Sequence, residues 1–517
     1  MLSKTYASAL QGVNAKLITV ETHAGAPIVN GGPICHIIGL ADKAVSEGFM
    51  RINPALRSSG YKPARRVLTI NLAPASLRKE GAAYDLPIAI GILESTDQLV
   101  RTIPGQVMLI GELALDGKLR PIRGALSMAI AAKQQGFTAL ILPQANAEEA
   151  AIVEDLDVFG ADTLKEVVAH LESTQLLSST CPRQRVRDSD SLPFPLDFND
   201  VMGQENIKRS LEIAAAGGHN AILIGPPGAG KTMLARRLPT ILPPLSLNEA
   251  LETTKIHSVA GKLPNGRGLV ATRPFRSPHH TISDVALVGG GANPMPGEIS
   301  LAHNGVLFLD ELPEFKRSVL EVMRQPMEER RVSISRARWT VDYPASFMLL
   351  ASMNPCPCGY YNHPSKECTC APGKVKQYIN KISGPLLDRI DLHVEVVPVS
   401  YDELSREGRC GDSSAVIAQR VIAARAIQEQ RFKLYRDIHC NAQMPSRLVR
   451  DTCTLDAAGE RLLETAMDRL QLSARAYDRI LKVARTIADL AGSEAVAGAH
   501  LAEAIQFRTL DRGNWAK

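Results

Sequence analysis

The sequence predicts an α/β protein with an N-terminal α+β domain, an α/β core around a phosphate-binding loop, and a C-terminal helical lid. Three observations support this class. Strand-like and helix-like segments alternate over residues 1–170, a glycine-rich loop follows an apolar run at 221–224, and helical spacing dominates after residue 400. The expected boundaries are 1–171 for the first domain, 172–197 for a linker, 198–400 for the core and 401–517 for the lid.

The composition is that of a folded chain and excludes several classes of function. Hydrophobic residues make up 45% of the 517 positions and charged residues 22%, which argues against a disordered or fibrous chain. The 59 basic and 54 acidic residues leave a net charge of +5, which permits a polyanionic partner without requiring one. Aromatic residues reach only 4%, so a protein that stacks bases on many aromatic side chains is disfavoured.

The cysteines and the apolar runs indicate the compartment. Four of the nine cysteines fall between residues 356 and 370, which suits a reducing environment with one metal site. The N-terminus lacks the apolar segment of a signal peptide, and no run approaches the roughly 18 apolar residues of a membrane helix. We therefore expect a cytoplasmic protein without a membrane partner.

Local patterns predict the elements of the first domain. Val67–Leu72 and Val107–Ile110 alternate as strands do, whereas Ile34–Phe49 and Ala125–Gln135 have helical spacing. The linker is rich in Ser, Arg and Pro and has little to bury. Helices are expected in the lid over Ser414–Lys433, Ala457–Leu470, Ala474–Leu490 and Gly498–Arg508.

The strongest functional motif is a phosphate-binding loop. The apolar run Ala221–Ile224 leads into the pattern G-x-x-x-x-G-K-T, and a helix-like segment follows. Backbone N–H groups of such a loop wrap phosphate, the lysine reaches the β- and γ-phosphates of ATP, and the threonine ligates Mg²⁺. The alternative, a glycine-rich turn, is disfavoured by these flanks. The predicted binding residues are Gly225, Pro226, Pro227, Gly228, Ala229, Gly230, Lys231 and Thr232.

A second motif supplies carboxylates for the metal ion and for water. The run 305–309 has the apolar character of a buried strand and ends at Asp310 and Glu311. We expect Asp310 to lie beside Mg²⁺ and Glu311 to polarise the attacking water. The alternative is a solvated acidic turn, which the phosphate loop upstream makes less favourable.

With these motifs, residues 198–510 resemble an AAA+ ATPase of the magnesium chelatase-like branch, which implies a three-layer α/β core. Asn354, at the end of the apolar run Phe347–Met353, resembles the sensor 1 residue that positions the lytic water. Arg389, in the sequence Leu-Leu-Asp-Arg-Ile-Asp, resembles an arginine finger that acts on ATP of a neighbouring subunit, so the active form would be a ring. Arg475 resembles sensor 2, with Arg479 as the fallback. For each arginine, an ordinary surface cation is the alternative.

Two further segments carry candidate DNA-binding arginines. Arg276 lies in a segment that resembles an insertion of the chelatase branch, and His279 and His280 follow it as weak metal candidates. Residues 329–339 read as a basic hairpin, and in related rings such hairpins face the channel and grip phosphate without reading sequence. Ion pairs with Glu321, Glu328 and Glu329 are the alternative role. The candidate DNA contacts are Arg276, Arg331, Arg336 and Arg338.

The cysteine cluster predicts a structural zinc site. Two C-x-C pairs are separated by nine residues, and four thiolates at such spacing can close a tetrahedral Zn²⁺ site. Reduced free thiols and a redox disulfide are the alternatives. The proposed ligands are Cys356, Cys358, Cys368 and Cys370.

Residues 11–170 resemble the Lon-type protease domain, mainly through the stretch Gly111–Gly124. At the position of the Lon nucleophile this chain has Ala83, and no lysine occupies the helix start at 125–128. Without a nucleophile and its base, an acyl-enzyme has no route, and Ser76 and Lys118 do not have the spacing of the dyad. The remaining scaffold would present a second basic collar, with simple solvation of these scattered loop charges as the alternative. The cations of this collar are Arg51, Arg57, Lys62, Arg65, Arg66, Arg78, Lys79 and Arg120.

The order of these parts covers nearly all residues and resembles the ComM/YifB family. The resemblance implies an ATP-driven hexameric DNA motor, a helicase that migrates branches while incoming single strands are integrated by homologous recombination in natural transformation. Single-stranded and branched DNA, further copies of the chain and a recombinase would be its partners. Two alternatives stay open: a Lon-like ATP-dependent protein remodeller and a magnesium chelatase subunit.

Overall fold

A computed structural model describes most of the chain. The described residues are 2–28, 34–101, 103–181, 196–263, 268–291, 294–336, 339–363, 365–398, 411–435, 437–470 and 472–508. Most of the predicted linker therefore lies outside them. No helix within these ranges is both long and apolar enough to traverse a bilayer.

The N-terminal part alternates strands and helices. Its strands are β1 (Leu2–Gln11), β2 (Asn14–Pro27), β3 (Cys35–Ile38), β4 (Arg66–Ala73), β5 (Val107–Leu109), β6 (Glu112–Leu113), β7 (Leu119–Arg120), β8 (Ala139–Pro143) and β9 (Asp157–Ala161). Its helices are α1 (Lys43–Ser46), α2 (Gly48–Ser58), α3 (Asp85–Ser95), α4 (Ala125–Gln134), α5 (Gln144–Ala150) and α6 (Leu164–Leu171).

The central part contains the strands of the predicted core. They are β10 (Ala221–Ile224), β11 (Phe275–Arg276), β12 (Gly289–Gly290), β13 (Met295–Pro296), β14 (Val306–Leu309), β15 (Arg331–Arg336), β16 (Trp339–Pro344), β17 (Met348–Met353) and β18 (Leu392–Glu395). The helices are α7 (Glu205–Gly217), α8 (Lys231–Arg237), α9 (Leu247–Val259), α10 (Asp284–Val288), α11 (Glu298–Leu301), α12 (Arg317–Glu321), α13 (Arg324–Glu329), α14 (Pro372–Ile379) and α15 (Gly384–Leu387).

The C-terminal part is helical. Its helices are α16 (Ser414–Arg431), α17 (Ser446–Thr452), α18 (Ala457–Leu470), α19 (Ala474–Leu490) and α20 (Gly498–Gln506). Ser413 caps α16 by accepting from the backbone of Val416, and Ser473 caps α19 in the same way through Ala476, as expected of serine at a helix start.

The chain forms two compact units. The first unit holds the N-terminal part together with residues 247–270 and 335–343, and the second holds the rest of the central part and the C-terminal helices. In the first unit, strands β1, β2, β4 and β3 form a sheet in that order, and β5, β8 and β9 form a separate parallel sheet. The division into the four segments expected above stays a prediction.

Two segments from the central part of the chain pack within the first unit. The hydroxyl of Ser258 in α9 hydrogen-bonds the buried Glu149 carboxylate of α5. Near the β1–β2 turn, Gly12 lies so close to Val341 that an added Cβ would be 2.7 Å from its Cγ1. Sequence reasoning did not foresee this packing, because α9 and the hairpin are far from the N-terminal part along the chain.

The second unit is built on a five-stranded parallel sheet with the order β11, β14, β17, β10, β18. All residues of β10, β14 and β17 are buried, which explains their near-continuous apolar sequences. One hydrophobic core joins this sheet to α7 and to the C-terminal helices, with Ile417, Leu463 and Ile480 among its members. The α/β class with a parallel sheet is therefore confirmed.

One predicted helix is wrong. Helical spacing was expected over Ile34–Phe49, but Cys35–Ile38 is a strand that pairs in parallel with β4, and the described helices start later, at Lys43 and Gly48. In this strand, at an exposed edge of the sheet, half-buried and exposed residues alternate, and Ile38 is 51% accessible. The other strands and helices for which bounds were predicted agree to within about two residues, and within the predicted lid α17 was not expected.

Candidate functional site

The phosphate loop joins β10 to α8 in the second unit. Gly230, the residue before the helix, has a left-handed φ of +83°, which glycine adopts without strain. The ammonium group of Lys231 donates to the carbonyl oxygens of Gly225 at 2.6 Å and Pro226 at 2.9 Å. The lysine thus folds back over its own loop, where its charge would meet a phosphate.

Asn354 extends this arrangement from the neighbouring strand. It follows β17, and its amide oxygen accepts from the Lys231 ammonium at 3.2 Å. Burial lowers the pKa of Lys231, while the charges of Asp310 and Glu311 act in the opposite direction. The predicted sensor and the predicted lysine are therefore in direct contact.

Thr232, in the first turn of α8, meets Asp310, the residue after β14, at the carboxyl end of the parallel sheet. The threonine hydroxyl donates to Asp310 Oδ2 at 2.8 Å, and the Ser352 hydroxyl donates to the other carboxylate oxygen. Hydroxyl and carboxylate oxygens are ligands that Mg²⁺ prefers. Ser352 was missed by sequence reasoning, because a serine inside an apolar strand carries no signal until the register with β14 is known.

Glu311 has a strained backbone and an exposed carboxylate. Its φ of +53° lies in the left-handed region, which is costly for a residue with a side chain and is concentrated at functional sites. The side chain is 55% exposed, and His280 Nδ1 lies 3.7 Å from its Oε2. His279 instead bonds the Thr281 hydroxyl at 2.9 Å. The pair therefore makes local contacts, one of which reaches the predicted base.

The three predicted lid and finger arginines differ in their surroundings. Arg389 is buried, donates to the Pro385 carbonyl and forms an ion pair with Glu328. Arg475 is 63% exposed and lies 4.0 Å from Asp388, at the limit of an ion pair. The fallback Arg479 forms a close ion pair with the buried Asp391.

A buried polar network links the sheet to the C-terminal helices. His219 lies between Asp391, 3.3 Å from its Nδ1, and the Thr486 hydroxyl, 2.8 Å from its Nε2. Asn441 donates to Thr486 at 3.0 Å and to Asp489 at 2.7 Å. Burial lowers the pKa of His219, so we assign a neutral imidazole that donates to Asp391. The Arg479 guanidinium counters the burial of Asp391, whose pKa lies well below its usual range.

The four predicted zinc ligands converge on one point. Their sulfur atoms all lie within 4.8 Å of one another, and three of the separations are 3.2, 3.5 and 3.7 Å. A tetrahedral zinc with bonds of about 2.3 Å requires sulfur atoms about 3.8 Å apart. The thiols therefore fit a Zn²⁺ site closely. The sulfur atoms concerned belong to Cys356, Cys358, Cys368 and Cys370.

The candidate DNA-binding arginines differ in how their charges are paired. Arg276 makes two hydrogen bonds to Glu298, at 2.6 and 2.8 Å, so its charge is already paired. Arg331 is 59% exposed and lies 3.4 Å from Glu329, one of the acidic partners considered above. The side chain of Arg336 and the whole of Arg338 lie outside the described residues. The hairpin itself forms as predicted, from β15 and β16.

For two residues of the predicted basic collar, the prediction of an available charge is wrong. Arg51 is held by Asp85 in two hydrogen bonds of 2.8 and 3.0 Å. Lys79 is buried and donates to the Pro74 carbonyl. In both residues the charged group is bound by internal contacts and is not available to a ligand.

Comparison with known proteins gives the family. The family model described as magnesium chelatase, subunit ChlI, matches residues 197–404, the subunit ChlI of Mg-chelatase model matches 24–146, and the ChlI C-terminal model matches 411–508. YifB of Salmonella typhimurium is 45% identical over 511 residues, which is 99% of this chain and 98% of that protein. The competence protein ComM of Haemophilus influenzae is 44% identical over 515 residues, with the same coverage. The chain belongs to the ComM/YifB family.

Membership of the ComM/YifB family confirms the resemblance inferred from the motifs. It identifies residues 197–404 as a magnesium chelatase-like AAA+ domain, a class that uses ATP and Mg²⁺. Part of the chain is also similar to Lon protease 2 of Bacillus subtilis, which is 30% identical over 160 residues, or 28% of each protein.

Proposed function

We propose that this protein is an ATP-dependent DNA motor that assembles as a hexameric ring and migrates DNA branches during homologous recombination. The observation that carries the proposal is the convergence of Lys231, Thr232, Asp310 and Asn354 at one end of the parallel sheet. Near-full-length similarity to a competence protein supports a role in natural transformation, in the cytoplasm.

The nucleotide site has a role for each residue. The loop Gly225–Gly230 and Lys231 bind the phosphates of ATP, and Thr232 with Asp310 would hold Mg²⁺, since their oxygen atoms already lie 2.8 Å apart. When bound, Mg²⁺ neutralises charge that develops on the phosphates. Glu311 orients and deprotonates the attacking water, and Asn354 positions that water.

The proposed ring depends on arginines that act on the nucleotide. We assign Arg389 as the finger that reaches ATP of the next subunit, and Arg475 as the sensor 2 cation because it is exposed and only loosely paired. Arg389 must exchange its ion pair with Glu328 for the phosphate of a neighbour. The ring size of six is carried over from the resemblance.

DNA binding would depend on the exposed cations of the hairpin. Arg331 is the described candidate with an accessible charge, and Arg336 and Arg338 share its hairpin in the sequence. Arg276 is a weaker candidate, because a DNA phosphate would have to displace Glu298. Binding through such contacts should weaken steeply as salt rises.

The Lon-like character of the N-terminal part remains a structural proposal. The partial similarity to a Lon protease supports it, and it would leave a scaffold without proteolysis because Ala83 has no nucleophilic atom. We place a structural zinc ion at the four cysteines.

The experiment that tests the proposal measures ATP hydrolysis with no DNA, with single-stranded DNA and with a labelled three-strand junction. We expect hydrolysis to rise with DNA and the junction to be resolved only when ATP is present. DNA binding should fall as salt rises from 50 to about 200 mM. Hydrolysis that is indifferent to DNA, together with stimulation by an unfolded protein, would favour the remodeller instead.

A further inference from the structure

The cysteine cluster lies against the phosphate loop. Gly359 follows Cys358 directly, has a left-handed φ of +86°, and packs on the ring of Pro227. A Cβ placed on Gly359 would lie 2.6 Å from Pro227 Cδ, closer than side-chain carbons approach. The fit therefore allows no side chain at Gly359, for both conformational and steric reasons.

The same segment contacts the nucleotide site at its two ends. Upstream, Asn354 bonds Lys231 at 3.2 Å and precedes the buried Cys356 by two residues. Downstream, the chain enters α14, where the buried Tyr378 lies close to the Asn354 backbone. The turn between these ends is closed by a hydrogen bond of 3.0 Å from Gly359 N–H to the Cys356 carbonyl.

We propose that the metal-bound cysteine cluster is a positioning element of the nucleotide site. By fixing the turn from Cys356 to Gly359, the four thiolates hold Gly359 against Pro227 and keep Asn354 beside Lys231. The phosphate loop is then ordered before ATP binds, so less of the binding free energy is spent on ordering it. This inference rests on the proposed binding of ATP by the loop.

A substitution that spares the thiols tests the inference. Gly359→Ala keeps all four cysteines but introduces left-handed strain and a contact with Pro227, so we expect one zinc per chain and an affinity for ATP that is lower by about tenfold. The rate at saturating ATP should change by less than about twofold, because Glu311 is untouched. Gly373→Ala is the matched control, since among the described residues no atom beyond its own helix backbone and chain neighbours lies within 4 Å of its added Cβ.

A second measurement uses the wild-type protein, so its main result does not depend on whether a variant folds. Coupling between two sites is reciprocal for binding free energies, so if bound zinc raises the affinity for ATP, bound nucleotide must raise the affinity for zinc by the same factor. In equilibrium competition with a chromophoric chelator, we expect ATPγS with Mg²⁺ to raise the zinc affinity of the wild type severalfold, and to have a smaller effect in Lys231→Ala at a nucleotide concentration that saturates only the wild type.

Three results would overturn the inference. They are zinc-loaded Gly359→Ala with wild-type ATP affinity, a wild-type zinc affinity that saturating nucleotide does not change, and wild-type protein that binds ATP but no zinc. Failure of the wild type to bind ATP at all would instead refute the proposed function, so the two failures are distinguishable.

Discussion

Replacing Glu311 by Gln removes the proposed base while keeping the shape of the side chain. The hydrogen bond from Glu311 N–H to Asp310 Oδ1, at 3.1 Å, does not involve the Glu311 side chain and should survive. The contact that changes is the 3.7 Å approach of His280 to the carboxylate. A polar contact at such an exposed position contributes less than about 1 kcal/mol, so folding and ATP binding should change little.

The effect on hydrolysis should be far larger. Loss of a general base lowers the rate by roughly 10²- to 10⁴-fold, or about 3–5 kcal/mol in activation free energy. The substitution acts in the chemical step, so kcat should fall while the affinity for ATP stays within about fivefold of the wild type.

The assay combines single-turnover hydrolysis of labelled ATP with a nucleotide-binding titration. Glu314→Gln is the matched control, since Glu314 lies in the same turn, is exposed, and pairs with Lys381 at 3.2 Å. The control should hydrolyse ATP normally. If Glu311→Gln hydrolyses within tenfold of the wild-type rate, Glu311 is not the base and the reasoning from its position fails.

Three further predictions test other parts of the site. Lys231→Ala should weaken ATP binding by about 10- to 100-fold in a titration, since a charged hydrogen bond to phosphate contributes about 1.5–3 kcal/mol; unchanged affinity would remove the lysine from the site. His280→Gln should raise the rate of ATP hydrolysis without DNA by up to about fivefold, because Glu311 loses its contact with His280, whereas His279→Gln should not change the rate. Equal rates for the wild type and His280→Gln would show that this contact does not affect hydrolysis. The pKa of His219 is lower in the folded protein, so the unfolded state takes up more protons below about pH 6.5. The wild type should therefore lose up to about 1.4 kcal/mol of folding free energy for each pH unit of acidification. Melting curves recorded as a function of pH should show a smaller loss for His219→Asn.

The contiguous parts of the site were predictable from the sequence. The phosphate loop and the pair Asp310–Glu311 are short runs in which strand, turn and chemistry are neighbours along the chain. The cysteines were similarly readable, because ligand spacing limits which thiols can meet. The α/β class followed from buried strands that are apolar throughout, such as β10 and β17.

The remaining contacts depend on sheet order and register. Ser352 reaches Asp310 only because β17 lies beside β14, and His219 meets Thr486 across 267 positions of sequence. The charges of Arg276 and Arg51 were visible in the sequence, but not the carboxylates that hold them. Composition likewise cannot show that an apolar edge such as Ile38 faces outward.

The most direct test of the motor is to image Glu311→Gln particles in the presence of ATP and forked DNA. Since ATP is bound but not hydrolysed, the assembled form should accumulate. The proposal predicts closed rings, six subunits in each, with density for DNA through the centre and Arg389 of one subunit near the nucleotide of the next. Particles that stay monomeric with ATP bound, or rings whose DNA lies only on the outside, would contradict it.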